Sequence, residues 1–537
     1  MEREGSGPTA RRRGVRGLER AAVPAVVVVL LLVNGLYWFA ASDRKLVLLV
    51  LALFVLPLVI LFALRHLGFL DAFRARLITF GAALTYACVL FAVLFPPFSV
   101  ADEFHHYLSS YWLSNCVTGS STLDRPQTLE MRRDDWELYS DHGLRDESLD
   151  YQTFTIDADS YQDVADDFSW TVRYEGECEV PENLMFGLTL GNENAFAKFG
   201  SVLGLLVGKL VGLGAYPVFY LGRIFSAAFF VACAVAAVRI SPVGKSAFMA
   251  VSFLPMTLQE AASYSYDGGT IGLSFVFLAL VLRATFTDEK LGVGWLTAIA
   301  VTAALLAPCK AIYVLEVGLV LLIPTGRFAS RRASIAFKSG VLALAAATSI
   351  ALKLAMVSSV SSGTSTFAFP GETTYSLTDL LSDPLGAAAL FVRTLWVAGD
   401  SYWMTAVGSS LGWLQPNLAA PSWLMGAYVI VLLCAAQRPG EGEVAIRPRH
   451  RAAFLAVAAL VWLAAMLSMA VAWTPNTADT IQGVQGRYLL PALPLLLLGL
   501  RSRSLRLEGD KFNTAMMSLC ALNALFMVRL VAVALGA

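Results

Sequence analysis

Apolar residues run along this chain in long blocks separated by short polar stretches. Thirteen blocks predict membrane-crossing helices: 22–42, 45–64, 77–96, 218–239, 246–264, 269–286, 292–308, 311–325, 339–357, 421–436, 452–473, 488–500 and 514–536. A span needs ~20 mainly apolar residues, fewer where the bilayer is thin. The joins around 264–269 and 308–311 predict tight hairpins. Two further apolar stretches, 196–214 and 386–399, are predicted to lie along the interface or re-enter without crossing. The first block is too long for a signal-peptide core and no small-residue cleavage site follows it, so it predicts a retained span.

The positions of the bases give this pattern an orientation, because cytoplasmic loops carry an excess of Lys and Arg. Arg3, Arg11, Arg12, Arg13, Arg16 and Arg20 precede the first block and place the N-terminus in the cytoplasm. Alternation then puts Arg65, Arg74 and Arg76, Arg239 and Lys245, Lys290, and Arg327, Arg331 and Arg332 inside. The clusters at 438–451 and 501–511 follow on the same side. Every cluster falls inside only if 196–214 and 386–399 do not cross.

Between the third and fourth blocks lies a segment of another kind. Residues 98–195 hold 21 acids and 5 bases, while the whole chain balances 40 against 40. Its length and its aromatic residues, among them Trp112, Trp136, Tyr139, Tyr161 and Trp170, predict a small folded extracytoplasmic cap. YQTFTIDAD alternates enough to allow short strands. A second outside loop region, 358–420, opens with a Ser-, Thr- and Gly-rich stretch. The fold class is therefore an all-α polytopic membrane protein with about thirteen transmembrane helices. Its organisation is a basic cytoplasmic N-terminus (1–21), an additional transmembrane hairpin (22–76), a membrane module (77–500) and a cytoplasmic linker with the last helix (501–537). A composition of 57% hydrophobic and 15% charged residues excludes a disordered chain, a collagen-like repeat and a secreted disulfide scaffold. No basic surface for nucleic acid exists. Cys116 and Cys178 are the two cysteines of the acidic segment, and they pair if that segment faces an oxidising side.

Four polar clusters fall on the outside face, where ionisable groups at a membrane edge are costly and commonly functional. The first is FPPFSVADEFHHYLSSYWLSN (95–115), with Asp102, Glu103, His105 and His106 directly after a proline-ended span. Read as a helix, Asp102 and His106 share a face, where a carboxylate and an imidazole can take a proton from a hydroxyl or hold a divalent metal. An N-cap Asp with interfacial histidines is the plainer alternative. The second is SYSYDGGTIG (263–272), where Asp267 precedes two glycines and a turn is as good an account as a site. In the third, APCKAIYV (307–314), Lys310 can meet a phosphate or snorkel. In the fourth, NTADTIQGVQGRYLLPALP (476–494), Gln485, Arg487 and Tyr488 open a span from the side that positive charge avoids. A guanidinium fork there suits phosphate oxygens. P-loop, GxGxxG, GxSxG, CxxC and zinc spacings are absent from the chain.

In combination these residues resemble domain-of-unknown-function family 2142, uncharacterised bacterial multi-spanning membrane proteins. The likeness rests on PPFSVADEFHH, AKFGSVLGLLVGKLVGLG (197–214), the stretch from YLGRIFSAAFF to SFVFLALVLR (220–283), CKAIYVLEVGLVLLIP and GVQGRYLLPALPLLLLGL, and spans roughly 90–500. Val100-Ala101 departs from the family's usual Pro-Pro. The family is similar in layout to GT-C class membrane glycosyltransferases. That resemblance implies a multi-pass protein of the bacterial cell membrane which moves a sugar from a polyprenyl-phosphate donor to a cell-envelope glycan or lipid. It gives Asp102 or Glu103 the catalytic role with His105 or His106 in support. Asp267, Lys310, Gln485, Arg487 and Tyr488 would bind the lipid-linked substrate, and a divalent metal at Asp102 and His106 remains open. A transporter or flippase for lipid-linked precursors, or a non-catalytic assembly factor, would use the same residues without chemistry.

Overall fold

The computed structural model describes residues 44–121, 129–145, 150–151, 156–181, 184, 195–357, 372–413, 415, 418–439, 444–502, 505–507 and 510–536. The block at 22–42, the basic N-terminus and the start of the Ser/Thr-rich loop lie outside the described residues.

The described chain is mostly helical, as continuous apolar blocks require where backbone polar groups must be satisfied within the segment. In chain order come α1 (Leu48–His66), α2 (Phe73–Leu94), α3 (Glu103–Thr118), α4 (Arg133–Gly143), α5 (Ala158–Asp167), α6 (Phe199–Val211) and α7 (Ala215–Ile240). Then follow α8 (Lys245–Ser252), α9 (Pro255–Ala261), α10 (Tyr266–Phe286), α11 (Val293–Leu306), α12 (Ala311–Leu322, partly 3-10) and α13 (Arg331–Val357). The last are α14 (Pro384–Val407), α15 (Ser422–Ala436), α16 (Pro448–Ala472), α17 (Leu493–Leu500) and α18 (Lys511–Ala534). Seven are long and apolar enough to cross a membrane: α1, α2, α7, α10, α13, α16 and α18. Shorter apolar helices are α6, α11, α12 and α15.

Three predicted spans are not continuous helices. The 246–264 block breaks between α8 and α9, where Leu254 is extended because Pro255 follows it. The 311–325 block alternates 3-10 and α turns. The 488–500 block divides into a 3-10 turn, Gly486–Leu489, and α17, with Pro491 and Pro494 at the join. Helix breaks of this kind need protein neighbours to satisfy freed backbone groups; at the first, the Asn523 side chain donates to the Phe253 carbonyl at 2.8 Å.

The 196–214 stretch forms α6, whose thirteen residues reach about 20 Å. It lies against α7 through glycine. A Cβ at Gly200 would be 2.5 Å from the Phe225 carbonyl oxygen, and one at Gly204 2.4 Å from that of Leu221. Small residues four apart let two backbones touch. The 386–399 stretch lies within α14, a 24-residue helix that is not among the seven.

The acidic segment is folded onto this end of the bundle. Its core contains Tyr107, Tyr111, Trp112, Met131, Leu138 and Tyr139, packed with Tyr216, Phe219 and Tyr264 from the bundle. Two short antiparallel pairs, β1 (Glu130–Arg132) with β4 (Glu177–Glu179) and β2 (Leu144–Arg145) with β3 (Asp150–Tyr151), brace it. Among the described residues of YQTFTIDAD, Tyr151 lies in a strand; Asp157 and Ser160 form a capping box that turns the following residues into α5. Its internal acids include Asp134, which accepts from the Ala215 N–H at 2.7 Å, and Asp135, which pairs with Arg132 at 2.7 Å.

Candidate functional site

The site begins where α2 stops. Helix C-termini leave carbonyls without partners, and Arg223 of α7 supplies them. Its Nη1 donates to the carbonyls of Ala92 (2.9 Å) and Phe95 (2.5 Å), and its Nη2 to that of Pro96 (2.9 Å). The same guanidinium binds Glu103 through both carboxylate oxygens, at 2.8 and 2.5 Å. Glu103 also accepts from the Tyr264 N–H at 3.2 Å. Both partners are wholly buried, at 0% exposure. Glu103 is thereby occupied in clamping α2, α3 and α7 together.

Asp102, one residue earlier, has a different environment. It is the residue before α3, with φ +61°, and its side chain makes no cap hydrogen bond. Asp102 and Phe98 (φ +60°) are the two positive-φ residues other than glycine among the described residues. A left-handed phenylalanine is uncommon; rings of Phe219 (4.8 Å), Tyr107 (5.4 Å) and Tyr139 (5.5 Å) hold it. The turn directs Asp102 to Arg487 rather than into the helix face it would share with His106. Its Oδ2 lies 3.4 Å from Arg487 Nη2, and its side chain is 44% exposed.

Arg487 is the centre of the cluster. It lies in the 3-10 turn before α17, 8% exposed, with Nη1 3.1 Å from Glu260 and Nε 3.3 Å from Asp267. Those two carboxylates are buried and pin the inner edge of the fork; Asp102 meets its outer edge. Lys310 stands beside them, 3.8 Å from Asp267 and 3.7 Å above the Tyr488 ring. The Tyr488 carbonyl accepts from the Tyr313 hydroxyl at 3.0 Å. Gln485 contributes through its backbone carbonyl, which accepts from the Tyr488 N–H at 3.1 Å. Residues predicted at four separate places in the chain thus meet at one point.

Close backbone approach makes this convergence possible. A Cβ at Gly486 would be 1.9 Å from the Tyr402 carbonyl oxygen, and one at Gly269 1.9 Å from that of Ala197. The Asp-Gly-Gly sequence is accordingly not a turn. Ser265 caps α10 by accepting from the Asp267 N–H, and Gly268 and Gly269 lie in the first helical turn, where only glycine fits.

His105 and His106 flank the cluster in α3. Burial lowers the His105 pKa to about 4, against the opposing pull of Asp102. Burial, with Lys198 adding to it, holds His106 well below its ordinary value. Both imidazoles are neutral at pH 7. His106 packs edge-on to the Tyr266 ring at 5.0 Å, and its backbone N–H donates to the Asp102 carbonyl at 3.1 Å. Among the described residues no group of three or more His, Cys, Asp or Glu side chains is placed to hold a metal ion. The expected disulfide is not formed. Cys116 and Cys178 are both free thiols, the former on α3 and the latter on β4 opposite Met131.

Glu260, Arg223 and Lys198 were not among the predicted site residues. Each is an ionisable group in or beside an apolar run, and that alone is the signal that would have marked them.

The depth of the site follows from helix lengths. α2 ends at it and α10 begins at it, with 22 and 21 residues respectively. Each reaches about 32 Å, the thickness of a hydrocarbon layer of roughly 30 Å. The cluster therefore lies at one edge of the apolar layer, beneath the acidic segment. The N-termini of α3 and α10 both open there and favour negative charge on a ligand.

A family described as predicted membrane protein (DUF2142) matches residues 199–496, more than half of the chain. Asp267, Lys310 and Arg487 fall inside the matched stretch, whereas Asp102 and Glu103 precede it. No curated protein and no solved structure matches the chain.

Proposed function

We propose that this chain, which belongs to the DUF2142 family of predicted membrane proteins, is a membrane glycosyltransferase. It takes a sugar from a polyprenyl-phosphate donor and passes it to a cell-envelope glycan or lipid on the extracytoplasmic face of a bacterial cell membrane. In this reading about thirteen helices cross, the N-terminus is cytoplasmic, and the acidic segment is the extracytoplasmic cap.

One observation carries the reading: a half-exposed carboxylate lies beside the outer edge of a guanidinium whose inner edge is pinned by two buried acids. Asp102 takes the proton from an acceptor hydroxyl as the new bond forms from that oxygen to the sugar's anomeric carbon. The bond from that carbon to the phosphate oxygen breaks, and the electron pair leaves with the polyprenyl phosphate. Arg487, with Lys310 behind it, neutralises the charge gathering on that phosphate. Asp102 yields its contact with Arg487 when the phosphate arrives, because 3.4 Å is long for a charged hydrogen bond and the carboxylate is already partly hydrated. Glu103 has no such freedom.

A transporter of lipid-linked precursors is the second reading, favoured by the broken helices at the site. The position at the membrane edge counts against it, since transporter sites lie near the midplane.

The test is transfer from polyprenyl-phosphate sugars by protein in liposomes. Asp102→Asn should lower the rate ~10²–10⁴-fold, the usual contribution of a positioned base. Arg487→Lys keeps the charge among the three carboxylates but loses the fork, so KM for the donor should rise. Undiminished transfer by Asp102→Asn would remove Asp102 as the base.

A further inference from the structure

The turn that presents Asp102 works against a local preference. An aspartate just before a helix usually has an extended backbone and accepts from the helix's first free N–H groups. Asp102 does neither: its φ is +61° and its side chain makes no cap hydrogen bond. Phe98, at φ +60°, opens the same turn in the same left-handed region. Such backbone persists only where the surroundings enforce it. The Phe98 ring is enclosed by α3, α4 and α7 through Tyr107, Tyr139 and Phe219. Its carbonyl is held from elsewhere in the chain. Nε1 of Trp413, in the loop after α14, donates to it at 3.3 Å. The half-buried Trp413 ring lies flat on Phe104 of α3, with 5.5 Å between centroids and 10° between planes. Gly412 presses on the next residue of the turn, where a Cβ would be 3.1 Å from the Ser99 carbonyl oxygen.

The loop is in turn fixed to α9. The Gly412 N–H donates to Gln259 Oε1 at 2.7 Å, and Gln259 is buried. Gln259 directly precedes Glu260, the acid that holds the inner edge of Arg487. The contacts close a ring. It runs from Asp102 through Arg487 and Glu260 to Gln259, then through Gly412 and Trp413 to Phe98 and back along the turn. One side carries the carboxylate and the other the guanidinium, and the loop joins them. We infer that Trp413 is a positioning residue for Asp102: it holds the 98–102 turn left-handed and so keeps the carboxylate facing Arg487. The consequence for catalysis rests on the transferase reading, whereas the hold on the turn is independent of it. Without the indole N–H, the locally preferred alternative opens, with Asp102 swung onto the N-terminus of α3 as an ordinary cap.

The experiment compares the full chain in nanodiscs with its Trp413→Phe variant, which keeps a ring on Phe104 and loses the N–H. Amide hydrogen exchange, read by peptide mass spectrometry, reports the turn directly. The Ser99 N–H donates to the Pro96 carbonyl at 3.3 Å and the Glu103 N–H to the Val100 carbonyl at 3.1 Å. Exchange across 98–103 should quicken about tenfold, the equivalent of one lost hydrogen bond, and stay unchanged in α18. Gln259→Met, which releases the loop from α9, should quicken the same segment. In transfer from a polyprenyl-phosphate sugar, Trp413→Phe should lower kcat ~10–100-fold, as a small misplacement of a reacting group does. KM for the donor should not change, because Arg487 and Lys310 stay in place. In an Asp102→Asn background Trp413→Phe should lower kcat no further, since it acts through that carboxylate. Unchanged exchange at 98–103 in either variant, or the same fall in kcat with and without the Asp102 carboxylate, would overturn the assignment. Quickened exchange in the variants of a chain that transfers no sugar would leave the turn assigned to Trp413 and overturn only the transferase reading.

Discussion

Replacing Glu103 with glutamine preserves shape and removes one charge from a pair in which both partners are 0% exposed. The loss is larger than one hydrogen bond. Arg223 would stay buried with its charge unmatched, while still holding the carbonyls of Ala92, Phe95 and Pro96. Breaking a buried pair by removing one partner costs about 3–5 kcal/mol. That is a large share of the ~5–15 kcal/mol by which proteins are usually stable. Glu103→Gln should therefore lower the thermal transition in detergent markedly and reduce the amount of protein in the membrane. Asp102→Asn is the contrast: its side chain is 44% exposed, Asn tolerates a left-handed backbone, and stability should move by no more than about 1 kcal/mol. Two adjacent carboxylates would then divide cleanly, one setting stability and the other activity. Wild-type thermal stability in Glu103→Gln would refute the clamp.

Gly486→Ala would bring a Cβ within 1.9 Å of the Tyr402 carbonyl oxygen and 2.4 Å of the Ala406 nitrogen. Both are backbone atoms, so the turn carrying Arg487 must shift; a thermal transition lowered by about 1–3 kcal/mol is expected, and an unchanged one would show that the approach is not tight. Lys198, with a folded pKa of about 7 against an ordinary 10.5, supplies a pH dependence. The unfolded chain holds the proton more firmly, so the destabilisation is complete below pH 7, ~5 kcal/mol as an order of magnitude, and fades as pH rises toward 10.5. Thermal stability of the wild type should climb with pH across that window, and Lys198→Met should flatten the climb; parallel profiles would reject it.

Much of this protein was written in the order of its residues. Apolar blocks must become helices wherever no water is available to the backbone, so each described block has helical counterparts near the predicted place, from Leu48–His66 to Lys511–Ala534. Charge alone marked the stretches holding Asp102, Asp267, Lys310 and Arg487, because an ionisable group beside an apolar run needs a reason. What one-dimensional order could not carry was distance and direction. Asp102 and Glu103 are neighbours of equal charge, yet a left-handed turn sends one to Arg487 at the mouth and leaves the other locked to Arg223. Glu260 lies inside the predicted 246–264 block, and only the break at Pro255 and the folding of 487 back onto 260 make it a partner of Arg487. Asp-Gly-Gly suits a turn by local preference, but the Ala197 carbonyl pressing on Gly269 makes it the start of a helix. Local preference acts over a few residues and is legible in sequence. Pairing across 385 positions, as between Asp102 and Arg487, is decided by how helices pack, and packing exists only in the folded molecule.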